Sequence, residues 1–259
     1  MTEPSNTPPG PEAKPFRTTP PGPDNTGVIV TIDGPAGTGK SSVAQQLAES
    51  LGLEFLDTGA MYRGAALLVI ENSLSLDAPD DIARLVRDAD IHFDWNTTPP
   101  TLYAAGAPKH DRLRDADVSA LVSPVSQLPA VRNVLVEKQR RIGEVHPRLV
   151  SEGRDQGSVV FYNADAKFYL DASIETRARR RLAQLTRRGD TPDIELVRRE
   201  IEDRDRRDTS REVGPLTCPA DATRVHTDDL SQAEVVDRLA ALVREQIPAD
   251  KLREAARLG

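Results

Sequence analysis

One glycine-rich segment has the residue types needed to hold a nucleoside triphosphate. It reads Gly34-Pro35-Ala36-Gly37-Thr38-Gly39-Lys40-Ser41, which matches the spacing G-x-x-x-x-G-K-[S/T]. Glycines let backbone N–H groups face a phosphate at a helix N-terminus, whose partial positive charge favours anions. We expect this loop and the following Ser42 to bind ATP, with GTP as the less favoured nucleotide. Lys40 would reach the β- and γ-phosphates, and the Ser41 hydroxyl would be a ligand of Mg²⁺.

A second polar segment begins about twenty residues beyond this loop. It reads Asp57-Thr58-Gly59-Ala60-Met61-Tyr62-Arg63 and follows a short apolar run. In a parallel sheet, consecutive strand-to-helix junctions lie at the same carboxyl edge, where ligands bind. Arg63 could therefore hold the phosphate of an acceptor molecule beside the triphosphate. The alternative is a simple helix cap formed by Asp57 or Thr58.

A third segment could recognise a base. It reads Ser151-Glu152-Gly153-Arg154-Asp155-Gln156-Gly157. A carboxylate accepts a hydrogen bond from the exocyclic N4 amine of cytosine, whereas uracil presents an oxygen at that position. An Asp and an Arg near the acceptor would therefore favour cytosine. The alternative is a local turn in which Asp155 pairs only with Arg154.

Arginine is concentrated in one part of the chain. Between Arg177 and Arg211 there are twelve Arg, eight Asp or Glu and no Lys. A guanidinium binds phosphate through two parallel hydrogen bonds and keeps its charge, which suits a site that holds several phosphates. The alternative is a general preference for Arg over Lys, which the whole chain shows.

Short apolar runs alternate with helical periodicity and would position these segments. Strands are predicted at Val28–Ile32, Leu53–Leu56, Leu149–Ser151, Ala166–Leu170 and Arg224–His226, with helices between them and a last helix from Gln232 to about Glu245. This alternation predicts an α/β fold with a central parallel sheet flanked by helices. The glycine loop then lies between the first strand and the first helix.

Residues 73–145 interrupt the alternation and predict a small inserted lobe. Extended segments at Asp90–Trp95 and Thr101–Ala104 indicate a hairpin, and helical patterns follow at Asp115–Gln127 and Ala130–Arg141.

We expect one kinase-sized domain over residues 27–247. Residues 1–26 contain eight prolines and few large apolar groups, which predicts a disordered tail. Residues 248–259 are expected to form a C-terminal tail.

Composition limits the classes of function. The net charge of −7 argues against a nucleic-acid partner. The single cysteine, Cys218, excludes an intramolecular disulfide, and the four histidines lack the spacing of metal ligands. We find neither an apolar run near 18 residues nor the pattern of a signal peptide. These features predict a cytoplasmic protein that binds neither nucleic acid nor membranes, and we expect it to be a monomer.

Taken together, the segments resemble the bacterial cytidylate kinase family. The similar stretches are TIDGPAGTGKSS, LDTGAMYR, PAVR, EGRDQGSVVF and EIEDRDRRDTSR, in the order and nearly the spacing of that family. The resemblance covers about residues 27–246. It implies a P-loop nucleoside monophosphate kinase fold with an inserted NMP-binding lobe and a mobile helical lid over 177–193. Gln156 is a departure, because the family usually has an apolar residue there.

The resemblance also implies roles for individual residues. It places Ser123, Arg132 and Asp155 at the cytosine base. The acceptor phosphate would be held by Arg63, Arg154 and Arg204, with Thr58 also at the substrate. Asp208 would lie near the sugar hydroxyls together with Arg204, and Arg211 would complete the CMP site. Lid residues Arg180 and Arg181, together with Lys40 and Arg154, would stabilise the phosphoryl group in transit.

The implied reaction is transfer of the γ-phosphate of ATP to CMP or dCMP, giving CDP or dCDP and ADP. Such a transfer requires alignment and charge neutralisation, so we expect no catalytic base. One rival interpretation is a P-loop kinase for UMP, AMP or a non-nucleotide alcohol. Another is a nucleotide-dependent switch or binding module, although a GTPase would be expected to carry an N-K-x-D motif and this sequence has none.

Overall fold

A five-stranded sheet forms the centre of the protein in a computed structural model that describes residues 27–109, 111–187 and 189–253. The strand order is β2–β6–β1–β7–β8, and every neighbouring pair is parallel. The strands are β1 Val28–Asp33, β2 Glu54–Asp57, β6 Arg148–Glu152, β7 Ala166–Asp171 and β8 Thr223–His226. The predicted α/β fold with a central parallel sheet is therefore confirmed.

Helices connect these strands and cover both faces of the sheet. They are α1 Lys40–Leu51, α2 Thr58–Glu71, α3 Pro79–Asp88, α4 Ala116–Val125, α5 Pro129–Val145, α6 Ile174–Thr186, α7 Ile194–Thr209, α8 Gln232–Gln246 and α9 Ala249–Arg253. A π-helical turn, Gln156–Val160, follows β6. None of the helices in the described part of the chain is long and apolar enough to cross a membrane.

Burial explains why β1 lies in the middle of the sheet. Val28, Val30 and Ile32 are fully buried on the face covered by α1 and α8, and they belong to one apolar cluster with the inner residues of those helices. On the opposite face, α2 and α5 contribute to a second apolar cluster. A β-branched strand that is buried on both faces is typical of the interior of a parallel sheet.

The strand register brings the three polar segments to one edge. Ile32 is paired with Glu152, and Asp57 is paired with the same residue from the other side. The carboxyl ends of β1, β6 and β2 therefore lie side by side, and the loops that leave them form one crevice. This is where an open parallel sheet binds its ligands.

The predicted hairpin is present within the inserted segment. Strands β3 His92–Asp94 and β4 Thr101–Ala104 pair antiparallel, and β5 Ala107–Pro108 adds a third strand. The buried residues of this sheet belong to the same apolar cluster as α2 and α5. The insertion therefore shares its core with one face of the main sheet.

The ends of the predicted domain are only partly covered by the structure. The predicted tail 1–26 lies outside the described residues, as do His110, Arg188 and residues 254–259. The predicted C-terminal tail begins with the short helix α9, which is attached to the domain. The Arg148 guanidinium donates to the carbonyl oxygens of Lys251 and Leu252 at 3.0 and 2.8 Å.

Candidate active site

The glycine loop has the backbone conformation that its sequence predicts. It joins β1 to α1, and Gly34, Gly37 and Gly39 have φ values of 146°, 82° and 88°. A side chain at Gly34 would overlap the carbonyl of Leu170, so only glycine fits there. The loop ends at the N-terminus of a twelve-residue helix, where free N–H groups favour an anion.

Lys40 is folded over this loop. Its Nζ donates to the carbonyl of Pro35 at 2.7 Å and to Thr38 Oγ1 at 3.3 Å, and the residue is buried. Burial and the nearby positive charge of Arg154 lower the pKa of Lys40 to about 7. An anion in the loop would favour the charged ammonium, as the phosphates of a nucleotide do.

Ser41 lies where a divalent cation could bind. Its Oγ donates to Glu152 Oε1 at 2.6 Å, which joins the start of α1 to the end of β6. A hydroxyl and a carboxylate are hard oxygen ligands that suit Mg²⁺, which usually takes one or two protein ligands and completes its shell with phosphates and water. Among the described residues, no group of three or more His, Cys, Asp or Glu could hold a metal alone. The site therefore fits Mg²⁺ that arrives with a nucleotide.

The second segment combines a helix cap with an ion pair. Asp57 accepts from the Ala60 N–H at 2.8 Å as the N-cap of α2, and it also binds the Arg63 guanidinium at 2.9 Å. Burial opposes its ionisation, but Arg63 and the Ala60 amide hold the pKa of Asp57 below its usual value. The capping alternative and the phosphate-binding hypothesis are thus compatible. The hydroxyl of Thr58 donates to the carbonyl of Glu152 at 2.7 Å, which ties this junction to β6.

A cluster of guanidinium groups surrounds one carboxylate, Asp208. Arg154 binds Asp208 Oδ2 at 2.8 Å, Arg211 binds Oδ1, and Arg204 Nε lies 3.9 Å from Oδ2. Burial and the repulsion of Arg154 lower the pKa of Arg204 to about 10. The three guanidinium groups share Asp208 as their bonded carboxylate, and their mutual repulsion favours an additional anion.

The third segment leads into a buried pair made by Asp155 and Arg132. Arg132 Nη2 binds Asp155 Oδ2, and both side chains are almost completely buried. Asp155 therefore pairs across the fold rather than with Arg154, which binds Asp208. Ser123 lies on α4, and the Ser123 hydroxyl and Arg132 Nε are buried without a hydrogen-bond partner in the described part of the chain. Polar atoms of this kind are those that a base edge could satisfy.

The two lid arginines, Arg180 and Arg181, lie on α6. Arg180 donates to Thr227 Oγ1 at 2.9 Å and to the Thr227 carbonyl, which joins α6 to the loop after β8. Arg181 contacts Gln184 within its own helix, and the residue is half-buried. The catalytic role of the two lid arginines remains a prediction that requires movement of the lid.

Arg177, at the start of the predicted lid, and Asp205 of α7 contact the glycine loop directly, and the sequence did not predict these contacts. Arg177 donates to the Ala36 carbonyl at 3.0 Å and binds Asp205, while the Ala36 N–H donates to Asp205 Oδ1 at 3.0 Å. Composition could not single them out, because each lies in a segment of many similar charges.

Asp33 is another functional candidate that sequence reasoning missed. It ends β1 immediately before the loop, is buried, and accepts the N–H groups of Gln156 and Gly157 at 2.9 and 2.7 Å. A lone acidic residue at the end of an apolar strand was a signal that could have found it. Asp33 therefore connects β1, the strand before the glycine loop, to the π-helical turn that follows Asp155.

Comparison with known proteins supports the geometry. The family model described as cytidylate kinase matches residues 30–245. A cytidylate kinase of Caldanaerobacter subterraneus subsp. tengcongensis is 42% identical over 207 residues, covering 80% of this chain and 90% of that protein. The cytidylate kinase of Nocardia farcinica is 42% identical over 209 residues, covering 81% and 90%. A bifunctional pantoate ligase/cytidylate kinase of Synechococcus sp. (strain RCC307) is 42% identical over 220 residues, and the alignment spans 84% of this chain but only 43% of that longer protein.

Proposed function

The chain belongs to the cytidylate kinase family and uses ATP to phosphorylate CMP; we propose that dCMP is a second acceptor and that the crevice described above is the site of transfer. The observation that carries this proposal is the position of the guanidinium cluster. Arg154, Arg204 and Arg211 surround Asp208. Asp155 follows Arg154 in the chain, and its partner Arg132 lies near Arg211, since both guanidinium groups donate to Ser126. A phosphate site beside a base-reading pair is what a nucleoside monophosphate needs.

The glycine loop would hold the donor nucleotide. Backbone N–H groups from Gly34 to Ser42 would bind the β-phosphate, and Lys40 would exchange its bonds to Pro35 and Thr38 for phosphate oxygens. Ser41 and Glu152 would face the Mg²⁺ that accompanies the nucleotide. When bound, Mg²⁺ supplies positive charge to the oxygens of the transferring group.

The acceptor would lie across the crevice from the loop. Arg63 would exchange part of its contact with Asp57 for the CMP phosphate, and Arg154 and Arg204 would complete the clamp. The base edge would meet the Ser123 hydroxyl, Arg132 and Asp155, where an ionised carboxylate accepts from the N4 amine. The phosphate and base contacts engage atoms that CMP and dCMP share, which is why dCMP is expected to be an acceptor.

Catalysis in this arrangement rests on alignment and charge. Lys40 and the cationic groups around the crevice would stabilise the equatorial oxygens of the phosphoryl group, and no side chain needs to remove a proton from a phosphate acceptor. Closure of the lid over 177–193, which includes Gly189 at φ 92°, would bring further arginines towards the donor and exclude water. Exclusion of water protects ATP from hydrolysis.

An acceptor panel tests the proposal. The purified full chain is incubated with ATP, Mg²⁺ and each of CMP, dCMP, UMP, AMP and a non-nucleotide alcohol such as shikimate, and ADP release is measured. We expect the highest kcat/KM for CMP and dCMP. A clear preference for another acceptor would overturn the assignment, and nucleotide binding without transfer to any acceptor would support a binding module instead.

A further inference from the structure

A chain of three buried polar side chains lies directly behind the base-reading pair. Gln156, Gln139 and Ser151 are each fully buried. Ser151 Oγ donates to Gln156 Oε1 at 2.8 Å, and Gln156 Nε2 donates to Gln139 Oε1 at 3.1 Å. None of the three belongs to the proposed phosphate or base contacts, so the position of Gln156 needs an explanation.

The amide of Gln156 reaches the carboxylate that would read the base. Its Nε2 lies 3.4 Å from Asp155 Oδ1, whereas Asp155 Oδ2 binds Arg132. Each oxygen of Asp155 therefore has a different neighbour. Since Ser151 engages the amide oxygen of Gln156, the NH₂ group faces away from Ser151, towards Gln139 and Asp155.

The surroundings keep Gln156 in this orientation. Its backbone N–H donates to Asp33 Oδ1 at 2.9 Å, so the main chain is fixed as well as the side chain. A side chain at Gly153 would come within 2.8 Å of Gln156 Cγ, so the glycine leaves the space that the amide occupies. A buried amide is unfavourable unless its hydrogen bonds are satisfied, and an apolar side chain could fill this volume without them. The polar residue is therefore best explained by its effect on Asp155.

We propose that Gln156 is a positioning residue that fixes the rotation of the Asp155 carboxylate and thereby sets the discrimination between cytosine and uracil. This inference rests on the proposed role of Asp155 at the base. The N4 amine of cytosine donates to an ionised carboxylate, whereas O4 of uracil is repelled by it. A carboxylate that is free to rotate discriminates less, because its oxygen is no longer held in line with the N4 amine. Gln156 restricts that freedom by contacting the oxygen that Arg132 does not hold.

The test is the ratio of kcat/KM for CMP to that for UMP. We expect Gln156→Leu and Gln156→Met to lower this ratio by about 10-fold, which corresponds to about 1.4 kcal/mol of discrimination, with the KM for ATP unchanged. Ser151→Ala removes the hydroxyl that orients the amide and should lower the ratio by a smaller factor. Ser158→Ala is the matched control. It lies in the same π-helical turn, its hydroxyl has no hydrogen-bond partner within the described segments, and its ratio should equal that of the wild type.

The outcomes separate this inference from the proposed function. If the wild type prefers CMP and the Gln156 variants lose activity equally with both acceptors, Gln156 is only a structural residue and the inference is wrong. An unchanged ratio in both variants has the same meaning. If Gln156→Leu does not fold, as judged by circular dichroism, Gln156→Met and Ser151→Ala decide the question. A wild type that shows no preference for CMP over UMP would instead contradict the role of Asp155 itself.

Discussion

Asp155 and Arg132 form a salt bridge that is almost withdrawn from solvent, since their side chains are only 3% and 1% exposed. The two residues are 23 positions apart in the chain, and they join the end of β6 to helix α5. A buried pair of this kind contributes little net stability, but removal of one partner leaves an uncompensated charge and costs about 3–5 kcal/mol. The small net stability of the pair favours the proposed role, in which Asp155 and Arg132 contact an acceptor, over a role in stabilising the fold.

Substitution of Asp155 should separate acceptor use from donor binding. We expect Asp155→Ala to lower kcat/KM for CMP by about 100-fold, because a buried charge-assisted hydrogen bond to the base is lost. The affinity for ATP should change less than about threefold. Asp155→Asn, which keeps the volume, gives a second measurement if the alanine variant is unstable. Calorimetric titration with ATP and steady-state kinetics with CMP measure the two effects, and equal losses in both would argue against a base contact.

Gly214 provides a steric test of the same pair. Its φ is 61°, and a side chain there would overlap both the Asp155 carboxylate and the Arg132 guanidinium. We expect Gly214→Ala to raise the KM for CMP by about 10-fold. The added methyl group would push the Asp155 and Arg132 side chains out of the positions in which they contact the base. Gly106→Ala is the matched control, since Gly106 has a similar φ of 74° and nothing lies within 4 Å of the added group. Both variants should lose about 1 kcal/mol of stability from backbone strain, and a normal KM in Gly214→Ala would show that the pair tolerates displacement.

The guanidinium cluster around Asp208 predicts an effect on phosphate recognition. Arg204→Gln removes one of the three guanidinium groups and should weaken CMP binding by about 10-fold or more, while binding of cytidine, which has no phosphate, should stay the same. Arg206→Gln is the control, because Arg206 lies on the same helix and is highly exposed beside Asp203. Competition against CMP phosphorylation measures both ligands. A parallel loss for cytidine would show that Arg204 shapes the pocket rather than binding the phosphate.

Asp33 predicts a particular pH dependence of folding. Burial raises the pKa of Asp33 from 3.8 to about 7, against the opposing effect of the two backbone amides that it accepts. Asp155 also raises this pKa and Lys40 lowers it. Between these two pKa values the native state binds one proton more than the unfolded chain, so the free energy of unfolding falls as the pH rises from about 4 to about 7.

Asp33→Asn lacks this titration and provides the comparison. Between pH 5 and pH 8, the free energy of unfolding of the wild type should fall by roughly 2 kcal/mol relative to that of Asp33→Asn. Groups that titrate alike in both proteins cancel in the difference, whereas Lys40, which interacts with Asp33, is titrated separately in each protein. Urea unfolding at several pH values measures it, and a difference that is constant with pH would contradict a protonated Asp33.

Local patterns in the sequence were sufficient to predict the strands of the central sheet and the glycine loop. The β-branched run at Val28–Ile32 and the glycines that follow it predict β1 and the phosphate-binding turn, because burial and backbone conformation at these positions are decided locally. The partners of the charged residues were harder to predict. Twelve arginines lie between Arg177 and Arg211. The sequence does not show which of these arginines face the crevice and which face solvent. Only the packing of α6 and α7 distinguishes Arg177, at the glycine loop, from Arg180, at the loop after β8.

The same limit applies to the interior of the site. Gln139 and Gln156 are 17 residues apart in the chain, and no periodicity links them. The sequence does not distinguish a buried glutamine from an exposed one, because the environment of the side chain depends on which helix covers the sheet. The resemblance marks Gln156 as a departure from the apolar residue that the family usually has at this position. Its hydrogen-bond partners become visible only in three dimensions.

One turn of α7 contacts both halves of the crevice. Asp205 accepts the N–H of Ala36 in the glycine loop, whereas Asp208, three positions later, organises the guanidinium cluster on the acceptor side. Residues so close on a helix move as one body, so α7 cannot be displaced from the donor loop without also displacing the acceptor groups. If the two nucleotides bind on these two sides as proposed, α7 would transmit a displacement caused by one nucleotide to the groups that hold the other.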